Sequence, residues 1–307
     1  MIEIKKHIAQ GFGRGELYDV LVQLQNMALV TEGKVFYVAK KGNNTDGSSW
    51  ENAFNTIAAA ITASNATIDW AGNEEDNYIL IAPGTYDESL TTPPYYCHLV
   101  GLGVRTLASS GMKVKIFPTT GVCMSGTALG LHLYNLCFKV NGAVDALDFG
   151  ICNDVLVENC LIEPGDSDNV NAFSTENSDG LNFIGNKIKS GLASGGFDYG
   201  LYFAGGSDKY LHNAVIANNI IAGLAATGTG IYVASNCTAT GSIFKGNIIR
   251  ISGAGNGIDE NNDNVIVCDN TVFHVGGDAY DINAALASWN VGNDNGTVVI
   301  EPDVAQF

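Results

Sequence analysis

The chain is poor in basic residues. Its 307 residues hold 15 Lys and Arg against 32 Asp and Glu, a formal net charge of −17, and the arginines are Arg14, Arg105 and Arg250. A phosphate backbone is gripped by clustered cations, and no such cluster exists here, which argues against nucleic acid as a partner. No apolar run approaches the ~18 residues that a membrane-spanning helix needs, so no membrane insertion is expected. None of the seven cysteines (Cys97, Cys123, Cys137, Cys152, Cys160, Cys237, Cys268) stands in a C-x-x-C pair, so neither zinc nor dithiol chemistry is indicated. No metal and no cofactor are expected. The cysteines sit in apolar runs and read as buried thiols of a reducing compartment. The first residues, "MIEIKKHIAQGFGRGELYDV", carry two lysines but no apolar segment after them, so no export signal is expected.

Glycine, at 37 residues, and asparagine are plentiful, and charged residues make up only 15%. That balance fits many short strands joined by tight turns rather than helices. One phrase recurs: "VLVENCLIEP", "LNFIGNKIKS", "AVIANNIIAG", "SIFKGNIIRI" and "VIVCDNTVFH". Aligned on Asn159, Asn186, Asn219, Asn247 and Asn270, the copies are 27, 33, 28 and 23 residues apart. Three places before the asparagine stand Leu156, Phe183, Ile216, Phe244 and Val267. Two places after it stand Leu161, Ile188, Ile221, Ile249 and Val272. A degraded copy, "LYNLCF", puts Leu136 in the asparagine slot. A second short phrase alternates with the first ("NAFS", "GLYF", "GIYV", "GIDE", "AYDI").

Repeats of this length with variable insertions indicate a solenoid, and apolar residues at strand spacing indicate coils of parallel β-structure. An inward asparagine at each bend would bond backbone groups and its counterparts above and below, so the five asparagines are expected to form a structural ladder. Ahead of the repeats, Ser48 and Glu51 have capping-box spacing, and Phe54, Ile57, Ala58 and Ile61 fall at helical intervals. A strand at Val35–Ala39, a short helix and a strand at Tyr78–Ala82 are predicted, with the helix covering the open end of the rod.

The order "DGSSWENAFNTIAAAI" then "YILIAPGTY" resembles the opening of right-handed parallel β-helix proteins, the pectate-lyase-like superfamily. It is similar to the start of pectin methylesterases and of many phage tailspike and fibre proteins. The fold class that follows is all-β: a right-handed parallel β-helix over residues 35–307, with a short N-terminal capping helix and a separate N-terminal helical segment, residues 1–34. In that segment Leu17, Val20, Leu21, Leu24 and Met27 make an apolar stripe at helical spacing, read as an oligomerisation or attachment surface. Tailspikes and fibres of this build are typically trimers, so the resemblance implies a homotrimer.

Chemistry is less legible. A lyase of the resembled superfamily would show an arginine beside calcium-binding aspartates, and an esterase two aspartates and an arginine. Asp148 and Asp259 lie on corresponding strands, but Ser174, Tyr202 and Tyr232 occupy the copies between them, which places the pair far apart. Glu158, Glu176, Asp259, Glu260 and Asp269 are the acids a glycosidase could draw on, and solvated surface acids are the better account of them. "DENNDN" from Asp259 fails the EF-hand template, and "GFGRG" lacks the strand and ribose-binding acid of a dinucleotide loop. The aromatic segment "GGFDYGLYFAGGSDKYLH" is the candidate glycan-binding region, with Phe197, Tyr199, Tyr202 and Tyr210 as contacts. The expected function is that of a phage virion structural protein: a decoration, fibre or short spike made in the host cytoplasm. It would join other virion proteins through residues 1–34, with host surface polysaccharide as its ligand. The alternative is an extracellular polysaccharide-degrading lyase or hydrolase.

Overall fold

The structure, a computed structural model, describes residues 33–68, 76–103, 112–165, 169–189, 196–251, 253–260, 264–273, 278–282, 286–288, 290–294 and 297–301. The apolar stripe from Leu17 to Met27 lies outside them. Within them the chain winds as an all-β, right-handed parallel β-helix of about seven turns. Three sheets run along the rod, and each coil adds one strand to the stack. The first sheet has ten strands, from Val35–Val38 through Asn77–Ile81 and Cys97–Gly101 to Leu286–Ser288. The second runs from Gly84–Tyr86 to Asn290–Asp294. The third contains Met124–Leu129, Leu147–Asn153, Asn169–Asp179, Phe197–Phe203, Thr229–Val233, Ile258–Glu260 and Tyr280–Ile282. Pairing is parallel except at the C-terminal end, where Asn290–Asp294 and Thr297–Glu301 form an antiparallel pair that covers the last edge of the second sheet.

Apolar residues stack inward in columns. Val157, Phe183, Ile216, Phe244 and Val267 are paired rung to rung in the first sheet and are fully buried. Ile162, Ile188, Ile221, Ile249 and Val272 do the same in the second sheet. Burying side chains of this size is worth ~1.5–3 kcal/mol each, and the columns repeat it at every coil. Each coil therefore relies mainly on its two neighbours for its core.

One short helix, α1 (Ile57–Asn65), packs its Ile57, Ala60 and Ile61 against the first strands of the first sheet. Its N-cap is Thr56, whose Oγ1 accepts from Ala59 N at 3.2 Å. The predicted capping box at Ser48 and Glu51 is not used: Ser48 lies in a bend and donates its hydroxyl to Asp46 Oδ1. What starts the helix instead is Glu88, thirty residues on, whose carboxylate accepts from Ile57 N and Ala58 N at 3.0 and 2.9 Å. A negative group at the positive end of a helix satisfies the free N–H groups there, and no local spacing reveals it.

The asparagine ladder is present with one member changed. Asn186, Asn219, Asn247, Asn270 and Asn290 are buried and in line. Each Oδ1 accepts from the ladder residue one coil earlier: Asn186 N to Asn219 at 2.8 Å, Asn219 N to Asn247 at 3.1 Å, Asn247 N to Asn270 at 2.9 Å and Asn270 N to Asn290 at 3.1 Å. Each Nδ2 donates to a carbonyl of the preceding first-sheet strand, as Asn219 does to Phe183 O at 2.8 Å. Asn159 is not part of it. The register pairs Leu156 with Asn182 and Leu161 with Lys187, so Cys160 stands under Asn186 and Asn159 under Gly185. The inward partners in that coil are accordingly Val157 and Ile162 rather than Leu156 and Leu161.

Asn159 belongs to a neighbouring column of left-handed corners. Its φ is 53°, and the residues stacked with it are Asn135, Gly185, Asn218, Gly246 and Asp269, all at positive φ. A second such column holds Tyr96, Gly130, Asp154, Gly180, Asn213 and Gly241. Gly, Asn and Asp are the residues that tolerate this conformation, and apart from Tyr96 they fill both columns.

Candidate functional site

All seven cysteines are free, and six are buried. Burial pushes the thiols of Cys97 and Cys137 up to about 12, which leaves them inert. Among the described residues no group of three His, Cys, Asp or Glu could hold a metal ion, and no helix is long and apolar enough to cross a membrane. Asn261–Asp263 of the "DENNDN" run and Arg105 lie outside the described residues. Arg250 stands over the Phe273 ring, 5.3 Å from its centroid.

The five candidate acids are dispersed. Glu158 lies 3.6 Å from His132 Nε2, Glu176 pairs with Lys209, and Asp269 lies 3.6 Å from Lys245. Asp259 accepts from Asn256 Nδ2, and Glu260, next to it, is buried inside the coil. No two of these five meet as a carboxyl pair. Strand alternation explains the last case: Asp259 and Glu260 point to opposite faces.

A polar and aromatic row does assemble on the outer face of the third sheet. Ser125, Asp148, Ser174, Tyr202, Tyr232, Asp259 and Asp281 are register partners in successive strands. Asp148 and Asp259 are thus four strand spacings apart, on the order of 19 Å. They cannot act on one bond.

At the lower end of the row, Asp148 acquires a partner that the sequence reading missed. Ser174 Oγ lies 2.7 Å from Asp145 Oδ2 and 3.0 Å from Asp148 Oδ1. Asp145 also accepts from Asn171, through backbone N and Nδ2, both at 2.9 Å. One hydroxyl proton satisfies one carboxylate, so the second contact is a hydrogen bond only when a carboxyl is itself protonated. Burial, with Asp145 and Glu176 as like charges, raises the Asp148 carboxyl above its ordinary value, while the bond from Ser174 opposes the shift. Asp145 precedes the strand and lies three places before Asp148. Only the coil geometry shows that both reach Ser174, 26 residues beyond Asp148.

Next along the row is a cluster of three half-buried tyrosines. Tyr202 and Tyr232 are cross-strand neighbours with near-parallel rings, 14° apart and 5.6 Å between centroids. Tyr199 packs at 5.0 and 5.2 Å against both. Burial and the carboxylates of Asp198 and Asp259 raise the Tyr199 hydroxyl, and burial with Asp259 raises that of Tyr232, so both stay neutral donors. Of the expected glycan contacts, Tyr199 and Tyr202 are in this cluster. Phe197 is not available: it is fully buried, a core residue beneath the sheet. Tyr210 lies apart on the strand Tyr210–His212, stacked on His212 at 4.8 Å. Tyr232, in the next repeat, is not among the expected contacts. Its one signal in the sequence is that "GLYF" and "GIYV" carry tyrosine at the same place.

No family model matches the chain, and no curated protein matches it. Among solved structures it is similar to a pectin methylesterase from carrot, at 12% identity over 87% of this chain and 85% of that one, with a TM-score of 0.44. It is also similar to a rhamnogalacturonan lyase, at 15% identity over 82% of this chain and 59% of that one, with a TM-score of 0.40.

Proposed function

We propose that the chain is a glycan-binding β-helix rod that serves as the structural part of a virion decoration, fibre or short spike. The observation that carries the binding reading is the outward row of the third sheet, where Tyr199, Tyr202 and Tyr232 form an apolar cluster with acceptor groups at both ends. Sugars are held in this manner, by apolar contact with aromatic rings and hydrogen bonds at their rims. The virion setting is supported by seven unpaired cysteines, which suit assembly in a reducing cytoplasm, and by the apolar stripe Leu17, Val20, Leu21, Leu24 and Met27 in the sequence, which suits attachment or trimerisation. Two measurements test the reading. The full chain should sediment as a trimer, and a purified-glycan array should give binding that Tyr202→Ala and Tyr232→Ala each reduce by about tenfold or more. A monomer that binds no glycan overturns it.

A second reading, a polysaccharide-cleaving enzyme, is favoured by the Asp145–Ser174–Asp148 contact. It joins two carboxyls through one hydroxyl and holds one of them toward its protonated form. General-acid attack on a glycosidic oxygen needs such a carboxyl. On this reading purified protein releases oligosaccharides from a polysaccharide, and Asp148→Asn abolishes release while leaving glycan binding intact. Release that survives Asp148→Asn removes the assignment.

A further inference from the structure

Cations and aromatic rings already meet elsewhere on this rod. Lys40 stands over Tyr86, Lys139 over Phe117 and Arg250 over Phe273, at 4.6, 4.9 and 5.3 Å. Tyr86 and Phe273 lie in strands of the second sheet, and Phe117 directly follows one. The largest outward tyrosine cluster, Tyr199–Tyr202–Tyr232, has no lysine or arginine over it among the described residues. None of the strands Leu147–Asn153, Asn169–Asp179, Phe197–Phe203, Thr229–Val233, Ile258–Glu260 and Tyr280–Ile282 contains a basic residue. They do contain Asp148, Glu176, Asp179, Asp198, Asp259 and Asp281, apart from Glu260, which points inward. Lys209, beside this face, is engaged by Glu176.

The hydrogen-bonding character of the face points the same way. Ionised carboxylates only accept. Asn171, 6% exposed and aligned with Tyr199, spends its Nδ2 on Asp145, while its buried Oδ1 accepts nothing. The site therefore offers aromatic rings and negative charge. Its complement is a ligand rich in donors, carrying positive charge close to an apolar surface.

From this charge complementarity we infer that the tyrosine row binds an amino-sugar polymer with free ammonium groups, a partly or fully N-deacetylated hexosamine chain. The inference rests on the glycan-binding reading above and specifies its ligand. An ammonium group supplies three donors and no acceptor, suits the faces of tyrosine rings, and is attracted by the acids at both ends of the row. On a hexosamine it is fixed to a rigid ring that also has an apolar face. A lysine-rich peptide carries the same charge on flexible stems, which lose rotamer freedom on binding. A uronic-acid polymer brings only further acceptors and negative charge, and is repelled.

Calorimetric titration of the full chain with glucosamine hexamer, N-acetylglucosamine hexamer, galacturonate hexamer and hexalysine tests this, under mildly acidic conditions that keep the amines protonated. The expected result is that the glucosamine oligomer binds about tenfold or more tighter than its N-acetylated form. Its affinity should fall several-fold between about 50 and 500 mM salt. It should also fall several-fold in Asp259→Asn and more in Tyr202→Ala, while Lys139→Ala changes nothing. Circular dichroism and melting establish that each variant is folded. Equal binding of both hexosamine oligomers, unaffected by salt or Asp259→Asn, overturns the charge selectivity and leaves the glycan-binding reading standing. Tighter binding of galacturonate does the same. Hexalysine binding as tightly as glucosamine overturns the amino-sugar assignment in favour of a basic peptide. If none of the three sugars binds, and arrays of other glycans are also blank, both readings fall.

Discussion

The two ends of this rod solve the same problem with different chemistry. From Asn186 to Asn290 the bend between the first and second sheets is held by amides buried in the bore, each bonded to backbone one coil away. Toward the N-terminus the same slot holds Cys160 and then Leu136. Cys160 does half of the work: its Sγ lies 3.5 Å from Leu133 O, the carbonyl an asparagine would reach, but it has no oxygen to accept with. The N-terminal coils also carry a column of polar rings along the first sheet. Tyr78, His98 and His132 are register partners, with Tyr78 and His98 stacked at 4.3 Å and the two histidine Nδ1 atoms 2.9 Å apart. The bend in one half is therefore held by groups that do not titrate, while the first sheet of the other carries a column of groups that do.

Breaking the amide side of that comparison should have the largest effect. Asn219→Ala leaves Asn186 N and Phe183 O buried without partners. At about 1–3 kcal/mol for each unmade bond, the expected loss is on the order of 2–5 kcal/mol. Denaturant titration measures the total. Because a solenoid coil depends on its neighbours, hydrogen exchange should show the loss concentrated between about Phe173 and Ile249 rather than across the rod. Asn219→Asp should be no better, since it restores an acceptor but buries a charge and removes the donor.

Acid sharpens the other side. Burial, and then the neighbouring His98, lower the His132 imidazole to about 4, and burial lowers His98 as well. A base whose pKa is depressed by folding takes up protons first in the unfolded chain. Its contribution is intact above the unfolded value of about 6.5 and is lost as pH falls from there toward 4. For His132 the loss is on the order of 2–3 kcal/mol, and it should appear in the N-terminal coils. His132→Phe, which retains a ring for the edge contacts with His98 and Tyr134, should flatten the pH dependence between about 6.5 and 4. An unchanged acid transition in that variant would place the sensitivity elsewhere.

The sequence made the stacked coils and the inward columns legible because they repeat. Phe183, Ile216, Phe244 and Val267 recur at one offset from an asparagine, and sidedness in a strand is fixed by alternation. The outer row was harder to read. Tyr202 and Tyr232 align by the same periodicity, but Asp145 reaches Ser174 only through the bend before Leu147, and insertions of variable length hide that. Phe197 looked equivalent to Tyr199 in an aromatic run, yet this strand departs from strict alternation: Gly200 and Leu201 are both buried, Phe197 is core, and Tyr199 and Tyr202 are partly exposed. The helix cap failed for a related reason: Glu88 comes from a different coil, whereas the Ser48–Glu51 spacing was merely local.

Smaller effects follow from the register. Cys160→Ala removes a weak Sγ contact from a slot where the neighbouring coil already tolerates leucine, so a loss of about 1–2 kcal/mol is expected, mostly from lost packing. Asn159→Gly should cost least. The sequence alignment put Asn159 in the ladder, where its loss would be as severe as that of Asn219. The structure puts it at a corner with φ of 53°, where two of its stacked neighbours are Gly185 and Gly246. Glycine adopts that conformation without strain, and the change to the unfolded chain's entropy amounts to a few tenths of a kcal/mol up to about 1. A shift in melting temperature of a few degrees or less in Asn159→Gly, beside a large one in Asn219→Ala, fixes the register by experiment. Comparable losses in the two variants would mean that the coil is offset by one residue and that Cys160, not Asn159, sits at the corner.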